Sequence, residues 1–415
     1  MKKSLYIIFL IFFNFLISQN SSFSPYSYFG VGDTNFISTV ENNMMGGITS
    51  YHDSIHQNIN NSASLSKLKF VNYSVGINMT KNSYEINSEN QSSTAAAINY
   101  ISIAIPTKSF AFSFGIKPST SVGYILENED SSKEIPEINR FFGSGGISNA
   151  FLSLAFEPFK NLGLGLSGSY AFGNLNHYQN KILQDVELFT RVSSESSVNG
   201  LDYNFSSVYQ KTFGKNTLHI GLIYKPESYY KSKNSQNISI INPASGGGDT
   251  QDIDLASTGL DNTRIKIPSF FSIGLGIGED KKWFSGFNFK KTNGGGYNNK
   301  LLDFDNVLYK SLKSYSFGGF YLPQYDSFTN FFKRIIYRFG IMYNKGGLHV
   351  NNKSIDQLSL NFGFGIPIGG ISSANLGFEY GERGFNDNGL IKEKFFKIRF
   401  GVSLNDIWFI KTMYN

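Results

Sequence analysis

The sequence predicts a transmembrane antiparallel β-barrel of about fourteen strands, with an N-terminal plug segment folded into it. Three observations lead there: the alternation of the C-terminal stretch, the overall composition, and the way connection lengths sort along the chain. In the stretch from Ile355 to Phe409, Leu358, Leu360, Phe362, Phe364 and Ile366 alternate with Ser359, Asn361, Gly363 and Gly365. A period of two is the strand period. A soluble sandwich would turn its large apolar face into a core. Here the other face is Gly, Ser, Asn and charge, and the apolar face is too continuous to leave in water. A lipid-facing apolar band around a polar interior resolves this. Composition agrees: aromatic residues make up 16% and charged residues only 16% of 415, with 42 glycines.

Residues 1–18 read as a secretory signal peptide, with Lys2 and Lys3 ahead of an apolar core from Leu5 to Ile17. That core is too short to span a bilayer as a helix. Residues 19–66 lack strand alternation but keep Tyr26, Tyr28, Phe29 and Phe36, aromatics that need burial, so they are expected to form the plug. The barrel is expected over 67–415. Its strands begin with Val71, Tyr73, Val75, Ile77 and Met79 on one face, followed by a run from Ala95 to Ile105. Phe110 to Ile116 make the third, with Pro118 inside it. Strands around Leu152–Phe156, Leu162–Tyr170, Leu201–Lys211, Leu218–Pro226, Ile265–Ile277, Trp283–Lys290, Ser314–Leu322 and Ile335–Tyr343 come next. Three tail strands complete the count, around Leu358–Ile366, Leu376–Tyr380 and Phe396–Leu404.

If the first strand rises from the periplasm, even-numbered connections lie inside and odd-numbered ones outside. The even ones are tight, as at Thr107-Lys108, Lys160-Asn161 and Gly214-Lys215-Asn216, with Pro323 to Phe332 the exception. The odd ones are long and polar: Glu127 to Ser144, Leu175 to Asn199, Glu227 to Asn262 and Thr292 to Tyr309. Short periplasmic turns and long external loops are the asymmetry of outer-membrane barrels, and a sandwich has no reason to sort its loops by parity.

No catalytic signature is present, so an enzyme is not expected, and no cofactor either. Cysteine is absent, which removes disulfides, thiolate metal ligands and a lipid-modified N-terminal Cys. His52 and His56 sit four apart, but in a stretch with no helical pattern and no third ligand, so no metal site is expected. Gly274, Gly276 and Gly278 share one strand face and read as lumen clearance, not a phosphate loop. The net charge of +6 is scattered and owes two units to Lys2 and Lys3, which argues against nucleic acid. By parity Lys117, Glu157, Lys290, Arg338, Glu379, Lys397 and Arg399 point into the lumen. They form either an internal ion-pair network, with Glu379 and Arg399 a natural pair, or a handle for the head group of an amphipathic ligand. The ligand candidates are Lys117, Lys290, Arg338, Lys397 and Arg399. Pro118 cannot donate to a ladder, so it marks either a lateral gate in the wall or the point where the strand leaves the bilayer.

Several of these features resemble the outer-membrane barrels of the FadL type, the long-chain fatty-acid and hydrocarbon transporters. They are the strand count, the plug, and Met45-Gly46-Gly47 followed by Asn60-Asn61-Ser62-Ala63-Ser64-Leu65, with Ser62 where such families usually carry proline. Ser24-Pro25-Tyr26-Ser27-Tyr28-Phe29-Gly30-Val31-Gly32-Asp33 and the tail pieces Glu379-Tyr380-Gly381-Glu382-Arg383-Gly384, Ile391-Lys392-Glu393 and Asn405-Asp406-Ile407-Trp408-Phe409 resemble a Bacteroidota branch. The resemblance implies a bacterial outer-membrane location and a plug built around Met45, Gly46, Gly47 and Asn61. It also implies a lateral exit at a kink in the third strand, where Pro118 falls. The expected partners are outer-membrane lipid and a small hydrophobic ligand, for passive uptake. Related plugged barrels serve the type IX secretion pathway. A non-enzymatic scaffold subunit of an outer-membrane secretion or barrel-assembly complex is therefore the alternative, docking through Glu227–Asn262 or Pro323–Phe332.

Overall fold

The computed structural model describes residues 23–34, 38–86, 89–386 and 390–408. The expected signal peptide, residues 19–22, Phe36 and Phe409 lie outside the described residues. Fourteen antiparallel staves close into a barrel. They are β1 (Val71–Ile86), β2 (Glu89–Pro106), β3 (Phe110–Pro118 and Thr120–Asp130), β4 (Glu137–Phe159) and β5 (Leu162–Leu183). Next come β6 (Phe189–Phe213), β7 (Asn216–Lys225 and Ser228–Ile241), β8 (Asn262–Ile267 and Phe270–Glu279) and β9 (Trp283–Thr292). β10 (Val307–Tyr321), β11 (Ile336–Val350), β12 (Gln357–Gly369), β13 (Ser372–Arg383) and β14 (Lys392–Asp406) complete the wall. Each stave pairs with its sequence neighbour, and β14 pairs with β1 from Asp406 opposite Val71 to Lys392 opposite Glu85. Closure leaves no free edge between first and last strands, as a hydrocarbon environment demands of a sheet.

The faces are as the alternation requires. Along β12, Leu358, Leu360 and Phe362 are exposed on the outer face while Ser359, Asn361, Gly363 and Gly365 are buried inside. Phe112, Phe317, Phe339 and Phe400 continue the outward band on other staves. All fourteen strands read from the sequence are present. What differs is their reach. The polar stretches taken as external loops are largely strand: β4 starts at Glu137, β5 runs to Leu183 and β6 starts at Phe189. Crossing a bilayer takes about 9–11 tilted residues, so the 25-residue β6 must project well past it. Beyond the apolar band neither face need be apolar, so runs such as Ser193-Ser194-Glu195-Ser196-Ser197 keep the ladder without the alternation.

Among the described residues, the wall's ladder is broken beside Pro118. β3 pairs with β2 only from Ile116 opposite Ile101 to Ala111 opposite Pro106. Above that, the described part of β2 pairs with β1 alone. The break comes at Pro118, and β4 and β5 bend beside it. Gly146 on β4 has φ +146° and its missing Cβ would lie 2.4 Å from the Thr120 carbonyl oxygen. Gly173 on β5, at φ +156°, would meet the Gly146 oxygen at 2.0 Å. Three neighbouring staves therefore turn together, and only glycine lets their backbones approach so closely. Gly173→Ala should destabilise the barrel by about 1–3 kcal/mol in a urea or thermal unfolding series followed by heat-modifiable gel mobility. Gly168→Ala, five residues away on the same stave with nothing within 4 Å, should be neutral. Equal effects would show that the bend does not depend on glycine.

Candidate functional site

The N-terminal segment lies in the lumen, and the wall carries seats for it. A short α-helix, Val40–Met44, ends in Gly46 and Gly47, both left-handed at φ +72° and +76°. Their amides donate to the Asn43 and Asn42 carbonyls (3.0 and 2.8 Å), which closes the turn. Around this turn stand lumen-facing glycines. A Cβ at Gly340 would lie 2.1 Å from the Gly46 nitrogen, at Gly318 2.5 Å from the Met45 oxygen, and at Gly377 2.2 Å from the Met44 sulfur. Gly165 is matched to Ala63 and Gly274 to Ser50 in the same way. Of the three glycines read as lumen clearance, Gly274 thus makes room for the segment at Ser50, whereas Gly276 makes room for the Phe284 ring and Gly278 for the backbone at Trp283. Polar pegs fix the lower part. Asn61 is buried and its side-chain amide donates to the Thr49 carbonyl (2.9 Å); Gln57 donates to Asn72 and Ser102 (3.0 and 2.8 Å). Lys67 reaches Glu157 at 2.7 Å. Glu157 keeps the inward parity of Ser153 and Ala155, but it stands exposed at the rim, with only two residues left before the strand end at Phe159.

At the other end, residues 23–34 meet the broken part of the wall. Asp33 and Thr34 form a two-residue strand opposite Ser121 and Thr120 of β3, on the edge that β2 leaves unpaired. The Ser24 amide donates to the Gly123 carbonyl (2.8 Å), and the Gly123 amide donates to the Ser27 hydroxyl (3.0 Å). Arg383 ties this end down, donating to Asp33 (2.8 Å), Ser24 (2.6 Å) and Glu393 (2.8 Å).

Between segment and wall lies a cavity of about 310 Å³, lined among others by Lys117, Pro118, Phe151, Asp202, Lys225 and Lys290. A second, of about 100 Å³, has Glu379, Lys397 and Arg399 in its lining, and Pro118 borders both. The five cations taken as lumen candidates do point inward, but they separate into groups. Arg399 is ion-paired with Glu379, and Lys397 lies 3.9 Å from the same carboxylate. Arg338 lines neither cavity and donates to Asn375 (2.9 Å), whose amide in turn donates to Glu41 of the segment (2.7 Å). These three belong to buried polar networks. Lys117 instead donates to the Asn60 side-chain oxygen (2.9 Å), and Lys290 lies 4.2 Å over the Phe270 ring. Lys225, paired with Asp202 at 2.7 Å, joins them in the cavity. Parity would have found that pair, since Leu201 and Tyr224 face outward beside them.

His52 and His56 have different partners. His52 Nδ1 donates to the Ser50 carbonyl (2.8 Å), and its ring lies against His219. His56 pairs with Asp53 at 2.7 Å. Among the described residues no group of three or more potential ligands is placed to hold a metal.

A closed fourteen-stranded barrel with a seated N-terminal segment defines the class: an outer-membrane β-barrel of the FadL fold. The BamG family matches residues 1–415, and the chain belongs to that family. Solved structures give the same fold at low identity. The toluene transporter TodX of Pseudomonas putida is similar at TM-score 0.59 and 14% identity, over 90% of this chain and 99% of that one. A Pseudomonas aeruginosa FadL homologue matches at 0.59 and 12%, over 90% and 99%. The Ralstonia pickettii toluene transporter TbuX matches at 0.58 and 10%, over 88% and 98%. No curated protein matches.

Two outcomes test this packing. Gly340→Ala drives a Cβ into segment backbone, whereas Gly377→Ala meets only the flexible Met44 side chain. Limited proteolysis should therefore cut the segment several-fold faster in the first than in the second, with the barrel intact in both; equal protection would refute the seats. The His56–Asp53 pair sets a pH dependence. Burial lowers the His56 pKa, but the Asp53 carboxylate more than offsets this and leaves it above the ordinary 6.5. A raised folded pKa contributes stability fully below about 6.5, which is lost as pH rises through the folded value. Segment protection should fall on that rise in the native protein and stay level in His56→Gln.

Proposed function

We propose that the protein is an outer-membrane channel for passive uptake of small hydrophobic or amphipathic molecules. In this reading the N-terminal segment is the plug, with Met45, Gly46, Gly47 and Asn61 at its centre. Lys117 and Lys290 hold a polar head group, and the break at Pro118 is the lateral way out. One observation carries it: the larger cavity touches Pro118 at the level where the β2–β3 ladder stops. A molecule held there would have a cationic wall on one side and lipid within reach through the break. Arg338, Lys397 and Arg399 are then lumen residues that brace the wall and plug.

A second reading, a non-enzymatic interaction subunit of an outer-membrane secretion or barrel-assembly complex, is favoured by how much lumen the segment fills. Cavities of about 310 and 100 Å³ stand at or below the lower end of pockets for drug-sized ligands, roughly 300 Å³. A fluorescent alkyl carboxylate and an uncharged aromatic hydrocarbon, titrated onto purified protein, separate the two. Uptake predicts saturable binding, with Lys117→Glu and Lys290→Glu each weakening the carboxylate about tenfold or more and sparing the hydrocarbon. No saturable binding of either probe, together with a stoichiometric protein partner from native membranes, would leave the scaffold.

A further inference from the structure

Five of the six even-numbered connections are two or three residues long; the sixth, between β10 and β11, spans residues 322–335. It is ordered. The Leu322 amide donates to the Lys282 carbonyl (2.6 Å), the Gln324 amide to the Lys333 carbonyl (2.8 Å), and Asn330 caps a 3₁₀ turn over Phe331–Arg334. Yet its rings face outward: Phe328 is 100% exposed, Phe332 68%, Tyr325 53% and Phe331 44%. A fixed loop has no entropic reason to hold four rings in water. Cations are interleaved with them. Lys281 of the neighbouring turn lies 4.5 Å over Tyr325 and Arg334 5.7 Å over Phe331, with Lys282 and Lys333 alongside. The nearby acids are Glu279, Asp280 and Asp326, and Glu279 is engaged by Lys282 at 2.7 Å.

Position identifies the occupant. The Tyr337 hydroxyl donates to the Phe332 carbonyl (3.2 Å), and the Tyr337 ring lies edge-on to Phe364 in the outward band. Tyr321 and Phe339, both exposed, continue that band to the stem of the turn. The rings therefore extend the lipid-facing surface at the level where head groups begin. Aromatic rings with lysine and arginine at their edges suit that layer, apolar on one side and wet on the other. A polar rim bonded into the lipid band fits a bilayer better than it fits a protein groove.

We propose that this turn is a lipid anchor: Tyr325, Phe328, Phe331 and Phe332 enter the interfacial layer of the periplasmic leaflet, and Lys281, Lys282, Lys333 and Arg334 bind anionic phospholipid head groups. The stem carries the effect inward. Phe320 and Ile336 pack with Met45, Ile48 and Phe284, so the leaflet holds the floor on which the N-terminal segment rests.

The chain contains no cysteine, so a single thiol can be placed at will. Phe328→Cys, Tyr325→Cys and, as a control in an exposed outer loop, Ser245→Cys would be spin-labelled and reconstituted into phosphatidylcholine vesicles with and without phosphatidylglycerol. Power saturation should show the labels at 325 and 328 open to oxygen and shielded from a water-soluble nickel complex, and the label at 245 the reverse. Phosphatidylglycerol should deepen the first two labels and slow proteolysis of the N-terminal segment severalfold, and exchanging the four cations for glutamine should remove both effects. Nickel access at 325 and 328 equal to that at 245 would overturn the anchor. Identical depth in both vesicles would overturn the anionic head group, and cross-linking of 328 to a protein in native membranes would overturn the leaflet in favour of a protein partner.

Discussion

The constraint beneath this structure is that hydrocarbon offers no partner to a peptide group. A sheet meets it only by closing, and closure here depends on the ladder between β1 and β14, the first and last staves. Everything outward can then be apolar, and everything inward must be small or satisfied. Tyr100, on the lumen side of β2, shows the rule at one residue: its hydroxyl is buried and accepts from the Val40 amide at 3.1 Å. A lumen with enclosed polar walls is an expensive place unless each group is met. The N-terminal segment meets many of them, which makes it part of the wall's hydrogen bonding as well as its filling.

The break beside Pro118 departs from this rule, and the chain compensates for it with its own residues. Asp33 and Thr34 act as a two-residue substitute for the strand that β2 does not supply, and Ser24 and Ser27 satisfy Gly123 a little further along. The edge is thus covered from the lumen side by a segment held through Arg383, whose guanidinium joins Asp33, Ser24 and Glu393. Charge-assisted bonds of this kind are stronger and more directional than neutral ones. The wall and the segment are consequently coupled at the same level as the cavity that contains Lys117.

Much of the fold was legible because membrane strands expose the simplest of patterns. Leu358 to Ile366 could be read for period, face and environment at once, and so could the other thirteen staves. The strand ends could not, because Ser193 to Ser197 carries no apolar face to read once the ladder leaves the bilayer. The Glu379–Arg399 pair followed from parity and neighbouring strands. Lys225 and Asp202 obeyed the same rule without being singled out. The glycines at 146 and 173 were hidden for another reason: a proline announces a break by its own chemistry, whereas a glycine bend is visible only when the opposing backbone is known. That Gly318, Gly340 and Gly377 seat residues 44–46 is a long-range fact no local pattern encodes.

Those seats also fix an order of events. They sit on β10 to β13, in the last third of the chain, while the residues they receive precede every stave. The seats exist only once these late staves are in place, so the helix and its turn cannot be seated before them. The leading residues must therefore wait, unseated, until almost the whole polypeptide has emerged. What is made first is thus among the last parts to reach its native place.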